Sequence, residues 1–165
     1  MRIALDIDDV LAEFLEAYKV RFNTDKFPKR LQSANITKNV QKLRRDRAFW
    51  TGLKVKNKLN FVPELYCTKR VNLKSYTKEW LALNDFPNRP VYQMFYQSGN
   101  KATMIKGRCD VLIDDSVYNV TQAIEYGLPA LLYTTSENEH VDFPYRIYSL
   151  ELDEIERMYN LQVNV

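Results

Sequence analysis

Short apolar runs alternate along this chain with segments that have apolar residues at helical spacing. The runs predict five strands, at residues 3–7, 62–68, 90–95, 110–114 and 130–133. The helical segments between them lie at residues 10–18, 75–83, 101–106 and 116–126. Strands that alternate with helices favour parallel pairing, because each parallel crossover is usually made by a helix. The pattern therefore predicts a three-layer, Rossmann-like α/β fold with a parallel sheet.

A polar and basic segment interrupts this alternation after the first helix. Residues 22–52 have a mostly helical pattern, in which Asn35 stands near the start of one helix. We expect residues 14–61 to form a small basic helical cap that is inserted after strand 1. Residues 1–13 and 62–165 are then expected to form the α/β core.

The charge of the chain is unevenly distributed. The net charge of all 165 residues is only +3, with 24 Lys and Arg against 21 Asp and Glu. Residues 15–61 hold 13 Lys and Arg against three acids, a balance of +10, which leaves −7 for the rest. The hydrophobic content of 45% is sufficient for the core of one domain. The sequence therefore predicts an acidic core that carries a basic insert, and such an insert attracts phosphorylated partners.

Two features bear on the compartment of the protein. The first residues lead directly into a strand pattern, without the segments of a signal peptide, and no apolar stretch approaches membrane-spanning length. Cys67 and Cys109 stand apart, near predicted strand ends, which favours reduced thiols over a disulfide or a zinc site. We expect a cytoplasmic protein without a membrane partner, in which any metal is bound by oxygen ligands.

Two clusters of carboxylates each follow an apolar run. Asp6, Asp8 and Asp9 end the first predicted strand, and Asp114 and Asp115 end the fourth. Open α/β sheets bind ligands beyond the carboxyl ends of their strands, so we expect these carboxylates to meet at one edge of the sheet. They repel one another unless a cation lies among them, and Mg²⁺ prefers such hard oxygen ligands. The clusters therefore predict a magnesium-dependent site for phosphate chemistry.

Asp6 and Asp8 have the spacing that two cooperating carboxylates need. Residues two apart share one face of a strand, so both side chains can reach the same metal and phosphate. One carboxylate attacks phosphorus to form an acyl-phosphate, and the other exchanges protons with the leaving group and with water. We assign Asp6 as the nucleophile and Asp8 as the acid and base. The structural alternative for this motif is an acidic turn that caps the following helix.

The residues suited to this chemistry follow one another in a distinctive order: Asp6 and Asp8, Thr68, Lys101, and Asp114 with Asp115. This order resembles that of the haloacid dehalogenase-like superfamily of phosphotransferases. The resemblance implies that Asp6 is the nucleophile, that Thr68 holds a phosphate oxygen, and that Lys101 neutralises both nucleophile and phosphate. It also implies that Mg²⁺ is bound by Asp6, Asp114 and the backbone carbonyl of Asp8.

Within the superfamily, the chain is similar to the 5'(3')-deoxyribonucleotidases and their small bacterial and phage relatives. The similarity rests on three segments: Leu5-Asp6-Ile-Asp8-Asp9-Val10-Leu-Ala-Glu13-Phe14, Phe49-Trp50-Thr-Gly-Leu53 and Val111-Leu-Ile-Asp114-Asp115-Ser116. Asp9 stands where those enzymes usually have glycine. The similarity implies that the substrates are deoxynucleoside or ribonucleoside monophosphates.

Four residues are candidates for contacting the substrate: Thr68, Lys69, Arg70 and Lys101. Arg70 lies two residues past Thr68, where it suits a phosphate or carboxylate group of the substrate. Thr68 can alternatively cap the following helix, and Lys106 is the alternative to Lys101 for the lysine role. Asp115 is either a supporting acid near the metal or a helix cap.

The predicted cap leaves the substrate open. Its aromatic residues either stack on a base or form the core of the cap, and they are Phe14, Tyr18, Phe22, Phe49 and Trp50. Its helical basic residues, which attract phosphates, are Lys42, Arg44, Arg45 and Arg47. Two further functions are consistent with the sequence: a phosphatase for the 3'-phosphate of a nucleic-acid end, and a non-catalytic module that binds nucleotide or nucleic acid on the same fold.

Overall fold

One parallel sheet forms the centre of the protein. The computed structural model describes residues 1–25, 34–94 and 99–164. Its strands are β1 (Ile3–Leu5), β2 (Leu65–Lys69), β3 (Val91–Met94), β4 (Val111–Asp114), β5 (Ala130–Tyr133) and β6 (Arg146–Ile147). They lie in the order β3-β2-β1-β4-β5-β6, and every neighbouring pair is parallel. The predicted α/β class with a parallel sheet is therefore confirmed.

Helices cover both faces of the sheet. They are α1 (Phe14–Phe22), α2 (Ala34–Leu43), α3 (Arg47–Thr51), α4 (Lys74–Leu83), α5 (Lys101–Ile105), α6 (Val117–Glu125) and α7 (Leu152–Val163). Successive residues of a strand point to opposite faces. Ile3 and Leu5 accordingly share an apolar cluster with Trp80 of α4 and Ile155 of α7, whereas Ala4 shares one with residues of α5 and α6. These two clusters make the three layers that the sequence predicts.

The strand order changes direction at β1. Ala4 pairs with Leu65 of β2 on one side and with Leu112 of β4 on the other. The chain proceeds outward from β1 through β2 to β3, and then returns to place β4 on the opposite side of β1. At such a point the crossovers leave in opposite directions, and a crevice opens beyond the carboxyl ends of the two strands. The residues that follow β1 and β4 meet in this crevice.

The first helix begins later than the spacing of apolar residues predicts. The sequence predicts a helix at residues 10–18, whereas α1 begins at Phe14. The N–H groups of Leu11 and Ala12 both donate to the carbonyl of Ile7, at 2.8 and 2.9 Å, and form a tight turn. Both side chains are buried. Their apolar spacing is therefore that of a turn packed on the core, and the prediction of a helix at these residues is wrong.

The other predicted elements keep their places and differ at their ends. β2 begins at Leu65 rather than at residue 62, because Pro63 has no N–H group to donate to a neighbouring strand. The last residue of the predicted strand 90–95 lies outside the described residues. The sequence pattern predicts neither β6 nor α7. β6 has only two residues, which is too short for an alternating pattern to be recognised.

Three helices, α1 to α3, lie between β1 and β2 in the segment predicted to be the cap. The rings of Phe14 and Trp50 stack with centroids 5.5 Å apart, and the Tyr18 ring lies 6.0 Å from that of Phe14. All three rings are buried in the same apolar cluster as Leu5 of β1. These aromatic residues therefore join the helices to the sheet and do not form an exposed stacking surface. Residues 26–33 of the predicted cap lie outside the described residues.

The described residues contain neither a disulfide nor a membrane-spanning helix. None of their helices has both the length and the apolar character that crossing a bilayer requires. Cys67 and Cys109 are free and buried. Burial raises the pKa of Cys67 to about 12 and that of Cys109 to about 11, so both thiols stay protonated at neutral pH. The two cysteines are therefore packing residues, in agreement with the prediction of reduced thiols.

Candidate active site

The strands β1 and β4 bring Asp6 and Asp114 side by side. Asp6 directly follows β1, and its backbone N–H donates to the carbonyl of Ile113 at 2.9 Å, which extends the pairing of the two strands. Asp114 is the last residue of β4. Both side chains are buried. The crevice beyond these strands therefore has two carboxylates at its base.

Lys101 lies between these two carboxylates. Its Nζ is 2.7 Å from Asp6 Oδ1 and 2.6 Å from Asp114 Oδ2, and its side chain is only 1% exposed. Lys101 is the first residue of α5, and the side chain of Asn100 caps this helix by accepting from the N–H of Ala102 at 2.8 Å. The Asn100 amide also donates to a carbonyl of α6 at 2.9 Å. These contacts fix the start of α5 and with it the position of the ammonium group.

Asp114 accepts several hydrogen bonds, whereas Asp6 has fewer partners. Asp114 Oδ1 accepts from the N–H of Ser116 at 2.9 Å and from Nδ2 of Asn119 at 3.1 Å. Asp6 Oδ1 lies 2.7 Å from the Lys101 ammonium, and no other described residue donates a hydrogen bond to it. It is therefore available to a ligand.

The carboxylates of the crevice hinder one another's ionisation. Burial, together with the charges of Asp114 and Asp8, raises the pKa of Asp6 to about 7 against the lowering effect of Lys101. Burial, Asp114 and the other nearby aspartates hold the pKa of Asp115 well above its usual range. Burial by itself lowers the pKa of Lys101, but Asp114 and Asp6 raise it above its usual value. A single ammonium thus does not balance the charges, and the site favours a further cation.

Asp6, Asp114 and Asp115 form a group that fits a divalent cation. One carboxylate oxygen from each residue lies within 4.8 Å of the oxygens from the other two. Such a donor set consists only of hard oxygens, and Mg²⁺ binds oxygen ligands at about 2.0–2.1 Å, so its ligands lie about 3–4 Å apart. The sequence leaves the role of Asp115 open, and the structure places its carboxylate in this group.

The carboxylate of Asp8 is bound by Arg70. Nε of Arg70 lies 3.0 Å from each oxygen of Asp8, and Nη2 lies 2.7 Å from Oδ1. The Arg70 side chain is 0% exposed and that of Asp8 is 18% exposed. Arg70 directly follows β2, so this pair joins the ends of β1 and β2. The sequence predicts a substrate contact for Arg70, and in the structure its guanidinium lies against Asp8.

Thr68 carries a hydroxyl that has no hydrogen-bond partner among the described residues. The residue lies in β2 and is fully buried. A buried hydroxyl without a partner costs about 1–3 kcal/mol, so a ligand that supplies one gains affinity. Thr68 does not cap the following helix, because the N-cap position of α4 is Leu73. Phosphate binding is therefore the remaining prediction for this hydroxyl.

Lys69 connects the end of β2 to α6. Its Nζ donates to Asn119 Oδ1 at 2.9 Å and lies 5.5 Å from the centre of the Tyr118 ring. Asn119 also donates to Asp114, so it links Lys69 to the buried carboxylates. Burial and the charge of Lys101 lower the pKa of Lys69. Asn119 is not among the site residues predicted from the sequence. Its place as a polar residue in the first turn of the helix after the fourth strand is the feature that could have indicated it.

Several basic residues considered from the sequence are exposed and are not buried among the carboxylates. Lys106 is exposed and donates to the carbonyl of Tyr126 at 2.6 Å, so it is Lys101 that reaches the carboxylates. Arg47 pairs with Glu79 of α4. The remaining basic residues considered for the cap are exposed, and they are Lys42, Arg44 and Arg45. His140, which is the sole histidine of the chain, is exposed as well.

Asp9 adopts a backbone conformation that usually requires glycine. Its φ is 59°, in the left-handed region. Its Oδ1 accepts from the N–H of Leu15 at 3.0 Å, at the start of α1, where Glu13 makes no side-chain capping bond. Aspartate tolerates the left-handed region better than most residues, since its short polar side chain bonds locally. Asp9 therefore fits the turn that leads from the end of β1 into the first helix.

The conformation of Asp9 predicts how substitutions at this position change the free energy of unfolding. We expect Asp9→Ala to lower the free energy of unfolding by about 2 kcal/mol, because the variant loses the acceptor for α1 and keeps a positive φ. Asp9→Asn keeps both an acceptor oxygen and tolerance of this φ, so its stability should stay within about 0.5 kcal/mol of the unmodified protein. Urea unfolding followed by circular dichroism measures both. Equal losses in the two variants would contradict this description of the turn.

In comparisons with known proteins, no family model and no curated protein matches the chain. The geometry of the site therefore carries the functional conclusion. It comprises two buried carboxylates bridged by a lysine, a third carboxylate beside them, a hydroxyl without a partner among the described residues, and an aspartate held by arginine. Such an arrangement is suited to binding a divalent cation together with a phosphate group.

Proposed function

We propose that the protein is a Mg²⁺-dependent phosphomonoester hydrolase of the haloacid dehalogenase-like type, which acts through a phosphoaspartate on Asp6. Its favoured substrates are deoxynucleoside or ribonucleoside monophosphates. The observation that carries this proposal is the buried Lys101 ammonium between Asp6 and Asp114, beside a group of three aspartate carboxylates that fits a divalent cation. Carboxylates this close together repel one another, and a bound cation relieves that repulsion.

The binding roles rest on the acidic group and on the resemblance to the superfamily. The carboxylates of Asp6 and Asp114 would hold Mg²⁺, with Asp115 beside them. The resemblance adds the backbone carbonyl of Asp8 to these ligands. When bound, the cation neutralises charge on the carboxylates and on the phosphate. The Thr68 hydroxyl donates to a phosphate oxygen, and the Lys101 ammonium supplies fixed positive charge near the attacking carboxylate.

Asp6 and Asp8 perform the bond changes of the reaction. An oxygen of Asp6 attacks phosphorus, the bond from phosphorus to the leaving oxygen breaks, and that oxygen takes a proton from Asp8. Water then attacks the phosphorus of the acyl-phosphate and gives a proton to Asp8, while the bond from phosphorus to Asp6 breaks. Phosphate leaves, and both aspartates have returned to their starting forms.

Phosphate release from a panel of substrates tests this proposal. The panel contains nucleoside 5'- and 3'-monophosphates with ribose and deoxyribose, an oligonucleotide with a 3'-phosphate and an aryl phosphate, each assayed with Mg²⁺ or with a chelator. We expect Mg²⁺-dependent release that is fastest with the mononucleotides. Binding of nucleotide without release from any member of the panel would instead indicate a non-catalytic nucleotide-binding module.

Thr68→Val is expected to separate stability from activity. Valine has nearly the same shape and removes a buried hydroxyl without a partner, so the free energy of unfolding should stay equal or rise by up to about 1 kcal/mol. The variant also loses a donor to phosphate, so kcat/KM should fall about 10- to 100-fold. Thermal unfolding and steady-state kinetics measure the two effects, with Thr121→Val on the exposed side of α6 as control. Unchanged kcat/KM in Thr68→Val would show that this hydroxyl does not bind substrate.

A nucleic-acid end is the second candidate substrate. Tyr118 is 59% exposed and lies beside Lys69 at the edge of the site. An exposed ring next to a cation suits a stacked base, and the exposed arginines of the predicted cap suit a phosphate backbone. Contacts with several phosphates would make kcat/KM for a 3'-phosphate oligonucleotide fall steeply as KCl is raised. A weak salt dependence, equal to that for a mononucleotide, would favour the mononucleotide.

We also propose a cytoplasmic location. Cys67 and Cys109 are free and buried. Free thiols are typical of proteins in reducing compartments, whereas secreted proteins commonly oxidise theirs. Fluorescence microscopy of the tagged protein in its own cells tests this location.

A further inference from the structure

Arg70 uses all of its guanidinium nitrogens within the protein. Nε and Nη2 contact the oxygens of Asp8, and Nη1 donates to Thr77 Oγ1 at 3.4 Å. The side chain is fully buried although it is charged. A buried guanidinium with every nitrogen engaged has no surface with which to meet a substrate. Its position after β2 therefore does not by itself make it a phosphate ligand.

Aromatic rings and a polar network fix Arg70 in this orientation. Its Cζ lies 5.0 Å from the ring centre of Trp50 in α3 and 5.9 Å from that of Trp80 in α4. Thr77 in turn donates to Gln93 Oε1 of β3 at 3.1 Å. Such contacts between a guanidinium and indole rings stabilise the arginine where it is desolvated. Turning Arg70 toward a substrate would break all of these contacts together.

Arg70 donates unequally to the two carboxylate oxygens of Asp8. Oδ1 accepts from both Nε and Nη2, whereas Oδ2 shares only Nε. The side chain of Asp8 also keeps some exposure to solvent, unlike that of Arg70. Oδ1 is therefore the anchored oxygen. Oδ2 is the oxygen that is left to carry a proton to a leaving group or to take one from water.

We propose that Arg70 is a positioning residue, which holds Asp8 for proton transfer and does not bind the substrate. This inference rests on the proposed function, in which Asp8 protonates the leaving oxygen. Proton transfer requires the acid to lie within hydrogen-bond reach of that oxygen, and a fixed carboxylate meets this condition more often than a mobile one. Loss of Arg70 should therefore impair the protonation of the leaving group.

Leaving groups of different acidity distinguish positioning from substrate binding. A nitrophenolate leaves as a stable anion, whereas the nucleoside alkoxide must take a proton from Asp8 as its bond to phosphorus breaks. kcat/KM reports the steps up to departure of the leaving group. Arg70→Lys keeps the charge but loses the forked pairing. We expect it to lower kcat/KM for a nucleoside monophosphate at least about tenfold more than kcat/KM for nitrophenyl phosphate, since a general acid contributes about 10²- to 10⁴-fold.

The ratio of the two kcat/KM values does not depend on how much of a variant is folded. It therefore remains measurable if Arg70→Lys is partly unfolded. Arg70→Gln is the second variant and should change the ratio in the same direction. Arg89→Lys, in the partly exposed pair with Glu64, makes the same substitution away from the site and should leave the ratio unchanged.

Each outcome of this experiment has a definite meaning. Equal losses on both substrates in both Arg70 variants would overturn the inference and indicate that Arg70 binds phosphate or only supports packing. A further change of the ratio when Arg70→Lys is added to Asp8→Asn would also overturn it, because Arg70 is proposed to act through Asp8 alone. Failure of the unmodified protein to hydrolyse either substrate would instead overturn the proposed function.

Discussion

Asp6→Asn is expected to abolish phosphate release, with a loss in kcat on the order of 10⁴-fold or more. The amide keeps the shape of the carboxylate, but its oxygen is a poor nucleophile and cannot form the acyl-phosphate. The fold should persist, because the change removes a negative charge from beside Asp114 and leaves Lys101 paired with that residue. We expect the free energy of unfolding to fall by no more than about 1 kcal/mol.

A matched control shows that the loss belongs to the site. Asp142→Asn makes the same chemical change at an exposed position outside the crevice and should leave kcat unchanged. Steady-state phosphate release and urea unfolding of both variants provide the comparison. Undiminished release by a correctly folded Asp6→Asn protein would exclude Asp6 as the nucleophile.

Lys101→Met is expected to cause the largest loss of stability. The variant leaves Asp6 and Asp114 buried together without the ammonium that lies within 2.7 Å of both. Removing one partner from a buried charge pair typically costs about 3–5 kcal/mol. We expect a fall of this size in the free energy of unfolding when a chelator is present. Mg²⁺ should restore more stability to the variant than it adds to the unmodified protein, because a bound cation offsets the same repulsion.

Lys106→Met is the control for this prediction. Lys106 belongs to the same short segment but is exposed, with its ammonium on the carbonyl and ring of Tyr126. Its loss should cost less than about 1 kcal/mol and should not depend on Mg²⁺. Equal effects of the two substitutions on stability would contradict the placement of Lys101 as the buried cation of the site.

The sheet was predictable because its central strands are buried on both faces. Such strands appear in a sequence as continuous apolar runs, as in β4, whose residues are all buried. The turn at Leu11 and Ala12 was not predictable in this way. A helix and a tight turn packed on the core place apolar residues at the same spacing, and only the hydrogen bonds to Ile7 distinguish them.

The site likewise contains residues that the sequence can predict and one contact that it cannot. Asp6 and Asp114 could be predicted because the carboxyl ends of parallel strands lie at one edge of the sheet. Lys101 could be predicted because it begins a helix, as the lysine of the resembled superfamily does. The pairing of Arg70 with Asp8 joins residues 62 positions apart, and nothing local in the sequence decides between this contact and one with substrate. Whether Arg70 contacts Asp8 or a substrate depends on which side chains surround its guanidinium in the folded protein.

Trapping the phosphorylated protein tests the central claim most directly. The protein is mixed with a nucleoside monophosphate and Mg²⁺, quenched within milliseconds and treated with borohydride, which reduces an acyl-phosphate of aspartate to homoserine, and its peptides are then sequenced by mass spectrometry. We predict homoserine at position 6, and none there when the chelator replaces Mg²⁺. Rapid phosphate release with aspartate intact at position 6, or with the modification at another residue, would contradict the account.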